Sequence, residues 1–240
     1  MRRIKITLAY DGGPYHGWQV QPGLPTIQGT LEQIVSGIEG RPVHVAGSGR
    51  TDAGVHAMAQ VAAFTIGNPI PLRNLRRAVN RLLPPSIRVL SAEEVHATFH
   101  PRFDARRKIY EYRIVREEVC SPLEWPYVYH HPYPLAEDRM IELAPAFEGE
   151  HDFTAFAASD DRDEEGRSKV RTIYSSVLEA QAGRLTYRVC GSGFLKHMVR
   201  NMVGTLLEAG KGNVADLTAL PARSGPTVPA KGLFLMGVEY

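Results

Sequence analysis

Cysteine and long apolar runs are both scarce in this sequence. Only Cys120 and Cys190 occur, too few for a disulfide framework or a thiolate metal cluster. No apolar stretch approaches the ~20 residues of a membrane-spanning helix. The basic first residues continue into a polar–apolar alternation and not into the apolar core of a signal peptide. These absences predict a protein of the reducing cytoplasm.

An excess of charge of one sign is also missing. The chain has 28 basic and 26 acidic residues, a net charge of +2, and 43% hydrophobic residues, which is typical of a soluble globular protein with one large domain or two ordinary ones. The charges are nevertheless segregated. Basic residues cluster at Arg73, Arg76, Arg77 and Arg81 and again at Arg102, Arg106, Arg107 and Lys108, and acidic residues cluster at 160–165. Segregation favours an anionic partner, although each cluster could equally be a solvated face.

Glycine surrounds one carboxylate at positions 46–57. Three glycines lie within eight residues, and Asp52 follows Arg50 among them. Glycine permits tight turns and close approach of the backbone to a ligand, and the predicted strand at 60–65 would anchor such a loop. The pattern therefore indicates a reactive carboxylate. A turn in which Asp52 only bonds its own backbone remains the alternative.

Hydrophobic periodicity predicts the same order of elements twice. In the first series, strands are expected at 3–10, 43–46, 60–65 and 87–92, with helices at 26–39 and 71–82. In the second, strands are expected at 108–115, 171–181, 185–191 and 233–239, with helices at 134–147 and 194–209. Positions 11–14 are expected to be a turn.

Both series have the β-α-β-β-α-β order of the split βαβ motif. We therefore predict an α+β fold of two tandem ferredoxin-like or RRM-like halves, at 1–104 and 105–240. Their antiparallel sheets are expected to flank a catalytic cleft. Sheets of this topology often present aromatic and basic side chains to single-stranded RNA, but a fold alone does not establish a function.

Several chemistries find little support around Asp52. Ser48 has no base in a known nucleophile signature, and the loop lacks the ending of a nucleotide-binding P-loop. His44, Asp52 and His56 could be metal ligands, but their spacing matches no metal signature. The remaining histidine pairs, at 96 and 100 and at 130–131, are expected to be surface or hydrogen-bonded residues.

An aspartate held ionised by guanidinium groups can act as a nucleophile or a charge stabiliser. Carboxylates do this at sugar anomeric carbons, where an oxocarbenium-like centre develops. A nucleoside substrate would also need a flat ring to stack its base. Tyr110 is a candidate for that ring, with a plain strand tyrosine as the alternative.

Five stretches together resemble the tRNA pseudouridine synthase A family. The three main ones are 49–57 (GRTDAGVHA), 108–114 (KIYEYRI) and 193–204 (GFLKHMVRNMVG). Two further stretches, 149–156 (GEHDFTAF) and 229–235 (PAKGLFL), are similar to the family as well. The matches follow the family's order along the chain.

The resemblance implies a residue-by-residue assignment. Asp52 would be the nucleophile, Tyr110 the base-stacking ring and Arg200 the partner of the aspartate. Arg50 would open the RNA helix and fill the space left by the flipped uridine. The resemblance also implies a homodimer without cofactor or metal, acting on uridines 38, 39 and 40 of the tRNA anticodon arm. We further expect the Arg73–Arg76–Arg77–Arg81 cluster to contact RNA phosphates.

Two points stay open from the sequence. Asp52 could attack C1′ of the ribose, attack C6 of the base, or remove a C2′ proton. Two other classes of protein also remain, a non-catalytic tandem RNA-binding protein and a metal-dependent phosphoesterase or nuclease.

Overall fold

A computed structural model describes residues 1–159, 166, 168–217 and 220–240. The acidic cluster at 160–165 lies outside the described residues. The chain divides into two compact units, one formed by Met1–Arg106 with Phe234–Tyr240 and the other by Arg107–Leu233. The last strand of the chain thus belongs mostly to the first unit.

The first unit contains a sheet built on β1 (Arg2–Tyr10), which lies between β3 (His56–Ile66) and β4 (Ile87–Val95) and is antiparallel to both. Alternate side chains of β1, from Ile4 to Tyr10, are buried, as the period of two predicts. Two further strands lie along β3. They are β2 (Ala46–Gly47), which is antiparallel, and β10 (Leu233–Glu239), which is parallel.

The helices of the first unit are α1 (Ile27–Glu39) and α2 (Leu72–Leu82). Helix α1 begins where the Thr26 hydroxyl accepts a hydrogen bond from the Gly29 N–H at 3.2 Å, an N-cap that satisfies an otherwise unpaired donor. Helix α2 follows Pro71 and buries Leu75 and Val79. Leu82, the last residue of α2, is 60% exposed, so the buried side of the helix ends before it.

The second unit contains the antiparallel order β5 (Arg107–Val115), β9 (Arg184–Gly191), β8 (Val170–Gln181) and β7 (Gly149–Asp152). A short strand β6 (Tyr129–His130) pairs parallel to β5. Strands β8 and β9 form an antiparallel hairpin. Its two turn residues, Ala182 and Gly183, have φ values of 48° and 74°, as two-residue turns between twisted strands require.

Both helices of the second unit are shorter than predicted. Helix α3 (Glu137–Leu143) continues as a 3-10 helix over Ala144–Phe147, where Pro145 removes one backbone donor. Helix α4 (Met198–Gly210) begins four residues late, because His197 adopts a left-handed φ of 63°. Phe194 therefore precedes the helix. All residues of α4 except Arg200 and Glu208 are buried.

The remaining differences concern the strands beside the glycine-rich loop. The strand expected at 43–46 is only Ala46–Gly47, and the strand expected at 60–65 already begins at His56. The α+β class with mostly antiparallel pairing is confirmed. Within the part of the chain that the structure describes, no helix is long and apolar enough to cross a membrane.

Candidate active site

The loop that carries Asp52 connects β2 to β3, so both of its ends are fixed to one sheet of the first unit. Asp52 is half-buried and Arg50 is exposed. The loop closes in a turn, in which the Val55 N–H donates to the backbone oxygen of Asp52 at 3.1 Å. Gly54, the third residue of that turn, has a φ of 77°, a conformation that favours glycine.

Buried polar side chains hold the loop from beneath. The Ser48 hydroxyl donates to Gln60 Oε1 at 2.6 Å, and Gln60 Nε2 donates to the backbone oxygen of Gly49 at 3.0 Å. Ser48 and Gln60 are both 0% exposed. Loss of one partner would therefore leave a buried polar group unsatisfied, at a cost of ~1–3 kcal/mol. These bonds fix the first half of the loop to β3.

Tyr10 ties the next loop residue to β1. Its hydroxyl forms a 2.8 Å hydrogen bond with the Thr51 hydroxyl and lies 3.4 Å from Gln60 Nε2. Burial raises the pKa of Tyr10 to about 12, against the opposing effect of those two hydrogen bonds. The phenol therefore stays protonated at neutral pH. The residue directly before Asp52 is thus bonded to the core strand of the unit.

A second segment, 11–18, packs against the loop and is not expected there from the sequence. The Trp18 N–H donates to the backbone oxygen of Thr51 at 3.0 Å, and the Gly54 N–H donates to that of Tyr15 at 3.4 Å. A Cβ on Gly17, whose φ is 87°, would lie 2.6 Å from the Thr51 oxygen. The sequence does contain two aromatic residues, Tyr15 and Trp18, within a glycine-rich turn. No local sequence pattern, however, shows what such a turn contacts.

His56 secures the far end of the loop. It is 2% exposed, and its ring stacks on Phe234 with centroids 4.8 Å apart. Its Nδ1 accepts a hydrogen bond from the Gly12 N–H at 3.1 Å and lies 3.2 Å from Asp11 Oδ1. His56 is therefore built into the scaffold around the loop.

The other metal candidate, His44, is 75% exposed at its side chain and lies 2.8 Å from Glu32 Oε1. Among the described residues, no group of three or more His, Cys, Asp or Glu side chains could hold a metal ion.

Tyr110 lies on β5 of the second unit and is 7% exposed. Its ring meets Phe194 edge to face, with centroids 5.1 Å apart. Two residues on, Tyr112 is fully buried and its hydroxyl donates to the backbone oxygen of Pro229 at 2.7 Å. The face of β5 that carries both tyrosines is thus packed, and Tyr110 retains slight exposure on it.

Arg200 lies in the first turn of α4 and is half-buried. Its Nε donates to the backbone oxygen of Val228 at 2.8 Å, which orients the guanidinium within the second unit. Asp52 belongs to the first unit, and its pairing with Arg200 stays a prediction.

The four arginines of α2 are all exposed. Arg76 Nη1 donates to the backbone oxygen of Leu90 at 2.8 Å, whereas the buried side of the helix is formed by Leu75 and Val79. The arginines therefore lie on the solvated side of α2. In the second basic cluster, Arg106 and Arg107 are exposed and Arg102 and Lys108 are half-buried.

Comparison with known proteins gives a consistent result along the whole chain. A family model described as tRNA pseudouridine synthase matches residues 6–104 and 143–240. The chain is 77% identical over 240 residues to the tRNA pseudouridine synthase A of Solibacter usitatus (strain Ellin6076), with 100% of both chains covered. It is 44% identical over 248 residues to the protein of that name from Geobacter sp. (strain M21), with 100% and 99% covered.

A more distant relative covers the chain equally well. The tRNA pseudouridine synthase A of Brevibacillus brevis (strain 47) is 41% identical over 247 residues, with 100% of both chains covered. The segments matched by the family model include Asp52 and Arg200. The chain belongs to the tRNA pseudouridine synthase family.

Proposed function

We propose that this chain isomerises uridine to pseudouridine in the anticodon arm of tRNA, at positions 38, 39 and 40, with Asp52 as the catalytic carboxylate. The family supplies the reaction, an isomerisation of uridine in tRNA. The residue roles and the choice of the anticodon arm are ours. One observation carries the assignment of Asp52: it lies half-buried in a loop whose neighbours are bonded to buried groups of the sheet.

The reaction makes three demands on the site. The N1–C1′ bond of uridine breaks, the freed base rotates, and C5 bonds to C1′ before a proton leaves C5. An ionised Asp52 would react at C1′, at C6, or with the C2′ proton. A carboxylate held in a fixed position pays little reorganisation cost in any of these steps. The three routes share the need for Asp52.

The freed base must also stay captive while it rotates. We assign this role to Tyr110, whose slightly exposed ring is held against Phe194, since aromatic faces stack on any base. Arg200 would pair with Asp52, as the family resemblance implies. Arg50, which is exposed beside Asp52, would enter the helix as the uridine leaves it. Unpaired or stem-end uridines flip at least cost, which favours the anticodon arm.

The rest of the proposal concerns the whole assembly. The exposed arginines of α2 would contact phosphates, since such contacts position a nucleic acid without reading its sequence. We also propose a cytoplasmic homodimer that needs no cofactor or metal, as the family resemblance implies.

The test uses unmodified tRNA transcript and carbodiimide mapping of pseudouridine. Asp52→Asn and Asp52→Ala are expected to fold and to bind tRNA, yet to form no pseudouridine. Asp138→Asn, an exposed carboxylate on α3, is the matched control and should retain full activity. Measurable turnover by Asp52→Ala would exclude Asp52 as the nucleophile, and pseudouridine confined to another arm would exclude the anticodon assignment.

A further inference from the structure

An exposed phenylalanine lies in the link between the last strand of the first series and β5. Phe103 is 72% exposed, and the residues on either side of it, Arg102 and Asp104, are charged. The His100 ring lies against it, with centroids 4.3 Å apart and an interplanar angle of 32°. The Arg102 guanidinium carbon lies 5.7 Å from the centroid of the Phe103 ring. One aromatic ring is therefore presented to solvent beside a second ring and a cation.

The turn that carries Phe103 is closed by its own side chains. His100 Nδ1 accepts hydrogen bonds from the N–H groups of Arg102 and Phe103, at 3.1 and 3.3 Å. Asp104 Oδ2 accepts from the His100 N–H at 2.9 Å, and the Asp104 N–H donates to the His100 oxygen at 3.1 Å. Burial, together with the positive charges of Arg3 and Arg102, lowers the pKa of His100. The neutral ring that accepts these bonds is thus the favoured form.

The turn is also fastened to the sheet of the first unit. The Tyr240 hydroxyl donates to the backbone oxygen of Pro101 at 2.8 Å, and Arg3 Nε donates to that of Phe99 at 3.1 Å. The rings of Phe99 and Tyr240 pack with centroids 5.0 Å apart. Because Arg3 lies on β1, the exposed ring is carried by a rigid turn and not by a loose linker.

We propose that Phe103 is a stacking platform for an unpaired base of the bound tRNA, outside the catalytic loop, with Arg102 at the adjoining phosphate. The inference rests on the proposed action on tRNA. A flat ring held rigidly beside a guanidinium is the combination that binds single-stranded nucleic acid. The exposed cation Arg106 lies three residues further on. This setting disfavours a protein partner, since the cores of protein interfaces are depleted of charge.

Binding measurements separate the ring from the charge. Phe103→Ala is expected to weaken tRNA binding about fivefold to tenfold, the lower part of the range for loss of a stacked base. Phe103→Trp should bind at least as tightly as the parent protein. Neither substitution removes a charge, so the slope of log affinity against log salt should not change. Arg102→Gln should instead lower the steepness of that slope by about 0.7–0.9. Leu123→Ala, at a site 84% exposed, is the matched control and should leave binding unchanged.

Photo-crosslinking locates the base. Transcripts that carry 5-iodouridine at single unpaired positions should crosslink to Phe103 from one region of the tRNA. Unchanged affinity of Phe103→Ala would overturn the proposal. So would a loss of affinity that accompanies a change of oligomeric state in sedimentation, because the ring would then contact protein.

The assignment of Asp52 as the catalytic carboxylate is tested separately from the role of Phe103. The control Leu123→Ala should form pseudouridine at the parent rate, whereas Asp52→Asn should bind tRNA and form none. Loss of tRNA binding in Phe103→Ala and loss of turnover in Asp52→Asn therefore test the two proposals separately.

Discussion

At the scale of single residues, the loop that carries Asp52 depends on groups outside the chemistry proposed for it. Gly17 approaches the loop so closely that a side chain has no room, since its Cβ would lie 2.6 Å from the Thr51 oxygen. Gly17→Ala is therefore expected to displace Thr51 and the adjoining Asp52. The rate at saturating tRNA should fall at least tenfold, because a misplaced reacting group loses much of its orientation advantage. Single-turnover assays measure this.

A matched control separates contact from backbone strain. Gly23 also has a positive φ, of 74°, but nothing lies within 4 Å of its hypothetical Cβ. In both alanine variants the left-handed conformation should lower the free energy of unfolding by ~1 kcal/mol. Urea unfolding measures this loss. Only Gly17→Ala should also lose catalytic rate. Equal rates in the two variants would show that the loop does not need the close approach of segment 11–18.

At the scale of elements, local periodicity was sufficient wherever one face of an element is buried. The bounds predicted for β1 agree with the structure to within one residue, because burial of alternate side chains leaves a period of two in the sequence. The bounds of β10 also agree, although its first three side chains are all buried. The start of α4 was not predictable in this way. Phe194 continues the apolar spacing of the helix, but the left-handed backbone at His197 interrupts it.

The same distinction applies to the candidate site. The loop at Asp52 could be recognised from its glycines and from family motifs, all of which are local patterns. The hydrogen bonds of Trp18 and Tyr10 to this loop could not be recognised from local patterns. They join Thr51 to residues 33 and 41 positions away along the chain. Sequence spacing carries no information about such contacts unless the sheet register is already known.

Helix α2 gives a prediction at the element scale. Arg77 and Arg81 are exposed, four residues apart on the solvated side of the helix. If each contacts one phosphate, Arg77→Gln combined with Arg81→Gln should lower the steepness of log affinity against log salt by about 1.4–1.8. The rate at saturating tRNA should barely change, because phosphate contacts position the substrate without joining the chemistry.

The control for this helix is an equal loss of charge elsewhere. Arg41 and Arg223 are exposed and lie outside both basic clusters, so the Arg41→Gln and Arg223→Gln double variant should keep the parent slope. If the α2 double variant also keeps the parent slope, the arginines of α2 only make the helix soluble. The phosphate contacts would then be assigned to the second basic cluster, Arg102, Arg106, Arg107 and Lys108.

At the scale of the whole molecule, shifted pKa values predict how stability depends on pH. On the acidic side six groups of the described residues have pKa values shifted in the same direction, downwards. Burial, the largest effect, lowers the pKa of His131, which is 6% exposed and whose Nε2 has no hydrogen-bond partner among the described residues. Of the two alternatives expected from the sequence, a surface or a hydrogen-bonded histidine, the first is wrong for His131, because the residue is buried. The pKa values of His100, Glu39, Glu111, Asp152 and Glu208 are lowered as well.

Each of these groups binds a proton more readily in the unfolded chain, so the free energy of unfolding should fall as pH falls. The histidines act first, below pH ~6.5, and the carboxylates below pH ~4.5. Glu111 tests the second step. Burial opposes its ionisation, but Arg113 and Arg188, each at 2.7 Å, outweigh burial and lower its pKa. Glu111→Gln should be less stable than the parent at pH 7, by a margin that shrinks towards pH 3 in urea titrations.

At alkaline pH, buried tyrosines make the free energy of unfolding depend on pH. Burial raises the pKa of Tyr10 to about 12, and it also raises those of Tyr112, Tyr187 and Tyr240. Tyrosines of the unfolded chain ionise near pH ~10. Between these values the unfolded chain binds fewer protons than the folded one, and the free energy of unfolding should fall as pH rises.

Tyr10→Phe isolates one of these protons, at the residue that joins the core to the loop that carries Asp52. Near pH 8 the variant should be less stable by ~1–3 kcal/mol, because the buried Thr51 hydroxyl and Gln60 amide lose a partner. Above pH ~10 that deficit should narrow, since phenylalanine has no proton to lose. Urea unfolding from pH 7 to 11.5 measures both effects. A deficit that stays constant with pH would show that Tyr10 ionises equally in the folded and unfolded chains. In that case burial would not be what keeps the Tyr10 hydroxyl protonated and hydrogen-bonded to Thr51.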